Sequence, residues 1–288
     1  MHSAFVKREQ LPTYLHDAML SNYRTYMVVG GMPEAVSEFV RSNNSLGGVR
    51  SIQTDLVVQY RYDISKYAGT RSLHVKDIFD GLPLQLDGEQ RRFLVTSVDP
   101  NARYERYKKD FLWLRNAGVA LKCDQVGEPK EPLSRTRKES KFKLFQSDTG
   151  MLVSRLGQSV ARSVYLGDSR TNLSGIYENE VAQELVAAGY TLHYWQVGTR
   201  EVDFCVSTDS VGVLPIEVKS GRSMHTHASL EYMMSSKEYD LGLGIVLSRL
   251  NVEYDATLNV LYAPLYMTMC LGDLSRPSEE LHIEVALV

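Results

Sequence analysis

Apolar residues recur at helical spacing through the first third of the chain. Leu15, Met19 and Tyr23 form one stripe, and Ala35, Val36 and Phe39 form a second. Residues 10–42 therefore read as two helices. Gly30-Gly31-Met32-Pro33 marks the sharp turn between them, with Pro33 suited to a first helical turn. Ile52, Leu56, Val57 and Tyr60 predict a third helix over 50–68, and residues 71–85 read as helical up to a break at Gly81-Leu82-Pro83. From Arg103 to Gly118, Tyr104, Tyr107, Phe111 and Leu114 predict a strong helix that the glycine stops. Strand-like runs at 119–126 and 141–147 flank a polar, proline-punctuated hairpin tip. Asp148 reads as a turn or cap residue, and 153–170 as a linker.

The pattern then changes. Ser174 to Ala188 is a helix on which Val181, Ala182 and Leu185 share a face with Glu178. A carboxylate among core positions is costly unless paired or bound to metal. Glu180 and Glu184 read as solvent-facing. Strands follow at 191–196 and at Glu201 to Ser207. In the second, Val202, Phe204 and Val206 form one face and Glu201, Asp203 and Cys205 the other. In V-L-P-I-E-V-K-S, Glu217 and Lys219 share a face. A helix over 228–238, strands at 243–248 and 257–262, and an apolar segment at 265–271 complete the pattern, so the later half runs αβββαβ.

Length and charge refine this picture. A chain of 288 residues suggests two or three domains. The net charge of -3 excludes a globally basic nucleic-acid coat, yet residues 101–143 hold twelve Lys or Arg against six Asp or Glu. Their helix followed by a two-stranded ribbon has the outline of a winged-helix module. Arg135, Arg137, Lys138, Lys141 and Lys143 crowd the ribbon, either as a wing on nucleic-acid phosphates or as a solvated loop. Cys123, Cys205 and Cys270 stand apart in apolar runs, without C-x-x-C. They read as small buried hydrophobes in a reducing cytoplasm. No secretory h-region and no membrane-length apolar stretch is visible, so no membrane association is expected. His193 reads as a partly buried strand histidine, and His225 and His227 as solvated loop residues.

Asp203, Glu217 and Lys219 make a D…E-x-K pattern on neighbouring strands. Two carboxylates can hold Mg²⁺ through oxygen, leaving positions for water and phosphate. A nearby lysine can orient the attacking water or stabilise developing charge. Glu178 would add an accessory carboxylate. The same residues are also consistent with a cross-strand ion pair on a half-exposed hairpin.

G-I-Y-E-N-E-V-A-Q-E-L, Y-W, R-E-V-D-F and P-I-E-V-K-S-G together resemble the domain of unknown function DUF4143. So do G-G-M-P-E-A-V, D-I-S-K-Y, W-L-R-N-A-G-V and F-K-L-F-Q-S-D-T-G-M-L, and the likeness runs from about Tyr26 to Leu271. In that family the domain forms the C-terminal part of AAA+-type ATPases of bacteria and archaea, and its later half is similar to the PD-(D/E)XK nuclease fold. Asp203, Glu217 and Lys219 match the nuclease motif, and Glu178 the helix glutamate. This sequence has no G-x-x-x-x-G-K-[S/T], so ATP is not expected to bind it in the P-loop manner. It reads as a fragment of, or a stand-alone remnant of, such an ATPase.

The expectation is an α/β (α+β) multidomain protein. Residues 1–49 would be a helical lid remnant, 50–152 a winged-helix-like domain, 153–271 a restriction-endonuclease-like domain and 272–288 a tail. The expected function is Mg²⁺-dependent DNA cleavage. Asp203 and Glu217 would be the metal ligands, and Glu178 and Lys219 would complete the catalytic set. The alternative is an inactive nuclease-fold module that binds DNA or protein and serves a partner ATPase.

Overall fold

The eight strands among the described residues join one sheet, whose order, with strands numbered along the chain, is 2-1-3-4-5-6-8-7. The structure, a computed structural model, describes residues 1–88, 91–168, 170–221 and 226–275. The helical first half comprises α1 (His2–Lys7), α2 (Thr13–Val29), α3 (Pro33–Arg41), α4 (Leu46–Tyr67), α5 (Ser72–Asp87) and α6 (Tyr104–Asn116). The ribbon β1 (Ala120–Val126) and β2 (Arg137–Gln146) follows, then α7 (Thr149–Leu156), α8 (Gln158–Leu166) and α9 (Ser174–Ala187). The rest is β3 (His193–Val197), β4 (Arg200–Thr208), β5 (Gly212–Val218), α10 (Ala228–Ser235), β6 (Gly244–Ser248), β7 (Glu253–Asp255) and β8 (Val260–Pro264). A 3₁₀ segment, Leu265–Ser275, ends it. The architecture is mixed α/β, and the order α9-β3-β4-β5-α10-β6 is the αβββαβ sequence read from the pattern.

The basic ribbon does not stand apart as a wing. β1 pairs in parallel with β3, with Asp124 opposite His193 and Val126 opposite Trp195. β2 therefore forms an edge of the same sheet, antiparallel to β1. Its two halves differ accordingly. Arg137, Lys138 and Lys141 are exposed, whereas Phe142 to Gln146 are buried on both faces. Phe142 stacks on Phe93 and meets Phe111 of α6 edge-on.

The sheet has two unequal cores. One face carries Phe145, Phe204, Ile216 and Leu247, packed with Val181 and Leu185 of α9, Met27 of α2, Phe79 of α5 and Phe111 of α6. The other gathers Trp195, Val202, Cys205, Val246 and Val260 with Leu230 and Met233 of α10. Strict alternation on β4 would have put Cys205 with Asp203, opposite Val202. Instead the β3–β4 register slips between His193/Cys205 and Trp195/Val202, so Cys205 joins the Val202 cluster. Such a bulge re-aims the side chains around it, here Asp203.

Helix α9 clasps the first half to the sheet. Asn179 accepts from the Gln146 amide at 2.7 Å and donates to the Gln146 carbonyl at 3.1 Å and to Thr149 Oγ1 at 2.9 Å. Gln183 accepts from the Thr149 amide and donates to Tyr26 Oη. Asp148 caps α7 through the Met151 amide and also accepts from the Gly31 amide at 2.7 Å. A Cβ on Gly150 would lie 2.5 Å from Gly30 N, so the two loops meet at glycines. Gly30-Gly31 is thus a structural turn docked on Asp148.

Several expectations are corrected. The helix does not break at Gly81-Leu82-Pro83, because α5 continues to Asp87 with Pro83 inside it. Pro83 cannot donate to the carbonyl four residues back, that of Phe79. Arg155 donates to that carbonyl at 2.6 Å in its place. Residues 153–170 contain the end of α7 and all of α8 rather than a linker. Glu180 is buried and accepts from Tyr23 Oη at 2.6 Å, and Glu184 accepts from Tyr26 Oη at 2.7 Å. They face α2, since α9 is sandwiched between α2 and the sheet. His227 is buried against Tyr262 Oη at 2.7 Å and Glu231, not solvated, while His225 lies outside the described residues. His193 and the three cysteines are buried, and the cysteines are free thiols. Among the described residues no helix is long and apolar enough to cross a membrane.

Candidate functional site

Glu178, Asp203, Glu217 and Lys219 come from α9, β4 and β5. Phe204 pairs with Ile216 across β4 and β5, so the next step of that register sets Asp203 opposite Glu217. Asp203 Oδ2 accepts from the Val218 amide at 2.9 Å, which fixes its carboxylate at the end of β5. Lys219 Nζ lies 2.7 Å from Glu217 Oε1. Glu217 Oε2 is buried and has no hydrogen-bond partner among the described residues.

The centre of the cluster is a residue the sequence assigned elsewhere. Lys143 is fully buried, and its ammonium lies 2.7 Å from Glu201 Oε1, 3.3 Å from Glu178 Oε2 and 3.3 Å from Asp203 Oδ1. It is therefore not a phosphate contact on the ribbon surface. The remaining ribbon cations also differ from the expectation of a free basic patch. Arg137 is 3.0 Å from Glu139 and 3.6 Å from Asp124, and Arg135 is 4.0 Å from Glu128. Lys138 and Lys141 are exposed, with no ion pair among the described residues.

Arg91 is the second residue that sequence reasoning missed. The residues just after it add to the sheet edge, with Arg92 bridged to Lys143 and the Phe93 amide donating to the Phe142 carbonyl. This brings Arg91 Nη1 to 2.8 Å from Glu178 Oε1 and lets Arg91 reach Ser174 Oγ. Glu178 is thus held by two cations rather than left open. The signal for Lys143 was its place in F-K-L-F, between Phe142 and Leu144 in a run too apolar for a solvent face. Arg91 carried no local signal.

Burial dominates the electrostatics. It raises the proton affinity of Glu178, and nearby Asp203 raises it further; Lys143 and Arg91 pull it back, leaving it at about 7. Burial and Asp203 likewise push Glu217 up to about 8, against the opposing pull of Lys219. Burial alone would lower the Lys143 ammonium, but Glu178, Asp203 and Glu201 outweigh it and hold it well above an ordinary lysine. The cluster is open at one side, where Glu201 and Lys219 keep 34% and 23% of their side chains exposed.

The donor set bears on the metal expected from the D…E-x-K pattern. Among the described residues no group of three or more His, Cys, Asp or Glu side chains is arranged to hold an ion. Two carboxylates, Asp203 and Glu217, do adjoin, and although Lys219 pairs with Glu217 Oε1, the buried Oε2 has no hydrogen-bond partner among the described residues. They fit an oxygen-coordinated divalent cation completed by water or phosphate. Glu178, engaged by Arg91 and Lys143, stands outside that pair.

No curated protein and no solved structure matches the chain. The likeness to DUF4143 was read from about Tyr26 onward, yet residues 20–162 match a different family, the domain of unknown function DUF8612. Residues 173–266, which carry α9, the three strands after it and all four of the site residues singled out from the sequence, match the domain of unknown function DUF4143.

Proposed function

We propose that the Asp203–Glu217–Lys219 cluster is a phosphodiester-hydrolysing site of the PD-(D/E)XK kind, acting on DNA. The observation that carries this reading is Glu217, a buried carboxylate beside Asp203 with one oxygen unpartnered and its proton affinity raised to about 8. The ion pair with Lys219 engages only the other oxygen, Oε1. Asp203 and Glu217 would hold Mg²⁺, which supplies Lewis-acid stabilisation of phosphate charge and a more acidic bound water. Asp203 is oriented by the Val218 amide, so its carboxylate is preset. Lys219, paired with Glu217 and partly exposed at the opening, would meet a phosphate oxygen or order water. Lys143 and Arg91 restrain Glu178 and offset the clustered negative charge.

One observation favours a second reading. Lys143 already supplies a cation to Glu178, Glu201 and Asp203, as expected of a nuclease fold whose cluster is structural and whose role is binding DNA or a partner ATPase. Mn²⁺ titration followed by cleavage assays on duplex, single-stranded and branched DNA separates the two. Catalysis requires saturable Mn²⁺ binding and cleavage, both lost in Asp203→Asn. Undiminished cleavage by Asp203→Asn would reject the assignment of the site. DNA binding without Mn²⁺ uptake or cleavage supports the second reading.

A further inference from the structure

A cavity of about 910 Å³ lies away from the carboxylate cluster, between the starts of α4 and α8. Its walls include Arg50, Arg162, Ser154 and Ser159, with Leu46 and Tyr165 among its apolar surface. Among the described residues no acidic side chain lines it. Arg50 Nη1 donates to Gln53 Oε1 at 2.8 Å, but Nη2 is buried with no hydrogen-bond partner among the described residues. Among the described residues no carboxylate pairs with this guanidinium, and burial lowers its proton affinity. A buried, unpaired guanidinium N–H is costly unless an anion meets it.

The backbone adds to the same field. Both helices enter this cavity with their first turns, neither has a side-chain cap, and neither has an acidic residue in its first turn. Their leading amides and the positive ends of their dipoles favour an anion. Glu38 packs against Gly48 of α4, but it is paired with Arg41 and lies outside the lining. Two guanidiniums suit a phosphate, which accepts several hydrogen bonds at once. The volume far exceeds one phosphate, and the apolar wall suits a body attached to it.

We propose that this cavity binds a small phosphate monoester. Its phosphate lies between Arg50, Arg162 and the α8 amides, and its organic body lies against Leu46 and Tyr165.

Isothermal titration of the full chain with inorganic phosphate, phenyl phosphate and adenosine 5′-monophosphate tests this. At least one ester should bind more tightly than inorganic phosphate. Arg162→Gln, at an exposed position, should weaken that ester by about tenfold or more, the scale of a lost charged hydrogen bond, without moving the melting temperature of the free protein. Arg50→Gln should abolish binding in protein that still unfolds cooperatively, with a lower melting temperature because buried Gln53 Oε1 loses its donor. The proposal is overturned if no ester binds at millimolar concentration, if esters bind no better than inorganic phosphate, or if binding survives both substitutions.

Discussion

The Lys143 ammonium lies 3.3 Å from Asp203 Oδ1, while the other oxygen of that carboxylate accepts the Val218 amide. An edge strand thus reaches under the sheet to neutralise a residue three strands away. Lys143→Met would leave Glu178 and Asp203 facing each other with only Arg91 in support. The expected cost is about 3–5 kcal/mol, because breaking a buried ion network strands the remaining charges. Denaturant unfolding at neutral pH measures it. The penalty should shrink on acidification through about pH 7, where Glu178 takes up a proton.

Glu217 predicts a pH slope in metal-free protein. Its proton affinity in the fold, about 8, exceeds the ordinary value of 4.5, so the folded state binds the proton more tightly. Its contribution to stability is fully present below about pH 4.5 and is lost as pH rises through about 8. The slope approaches about 1.4 kcal/mol per pH unit at most for one group. Melting curves from pH 5 to 8 should flatten in Glu217→Gln, a comparison that isolates this group from Glu178.

Divalent-ion binding should follow the same titration. An ion on Glu217 displaces its proton, so Mn²⁺ affinity should rise with pH and level off above about pH 8. Glu217→Gln should abolish the rise. Mn²⁺ affinity that is flat between pH 6 and 9 would remove Glu217 from the ligand set.

Arg155 and Pro83 should be energetically coupled. Arg155→Met leaves the Phe79 carbonyl without its substitute donor and should cost about 1–3 kcal/mol. In a Pro83→Ala background the alanine amide restores the helical donor, and the same substitution should cost about 1 kcal/mol less. A double-mutant cycle by chemical denaturation reads the difference.

Helical periodicity located α2, α3, α4, α6 and α9, since each carries apolar residues at helical spacing. The same periodicity placed Glu178 inward, and the D…E-x-K spacing selected Asp203, Glu217 and Lys219. What escaped was non-local. Glu180 and Glu184 form hydrogen bonds with tyrosines more than 150 residues away, so a helix polar on both sides read as half-solvated. Lys143 sat in a basic run whose first part is exposed and whose last part is buried, and the run of charge masked the apolar neighbours Phe142, Leu144 and Phe145 that mark the buried part. Pro83 read as a stop because its compensating guanidinium lies 72 positions further on. The bulge in β4 left no residue-level trace.

The parallel pairing of β1 with β3 limits how this chain can be divided. A fragment beginning at residue 153 would lose the ribbon and expose the ladder groups of β3, which face β1 in the intact sheet. An unpaired hydrophobic edge of that kind recruits other chains. Recombinant pieces cut between the two matched segments should therefore aggregate unless they keep residues 120–146, so the chemistry of the carboxylate cluster is best sought in the undivided polypeptide.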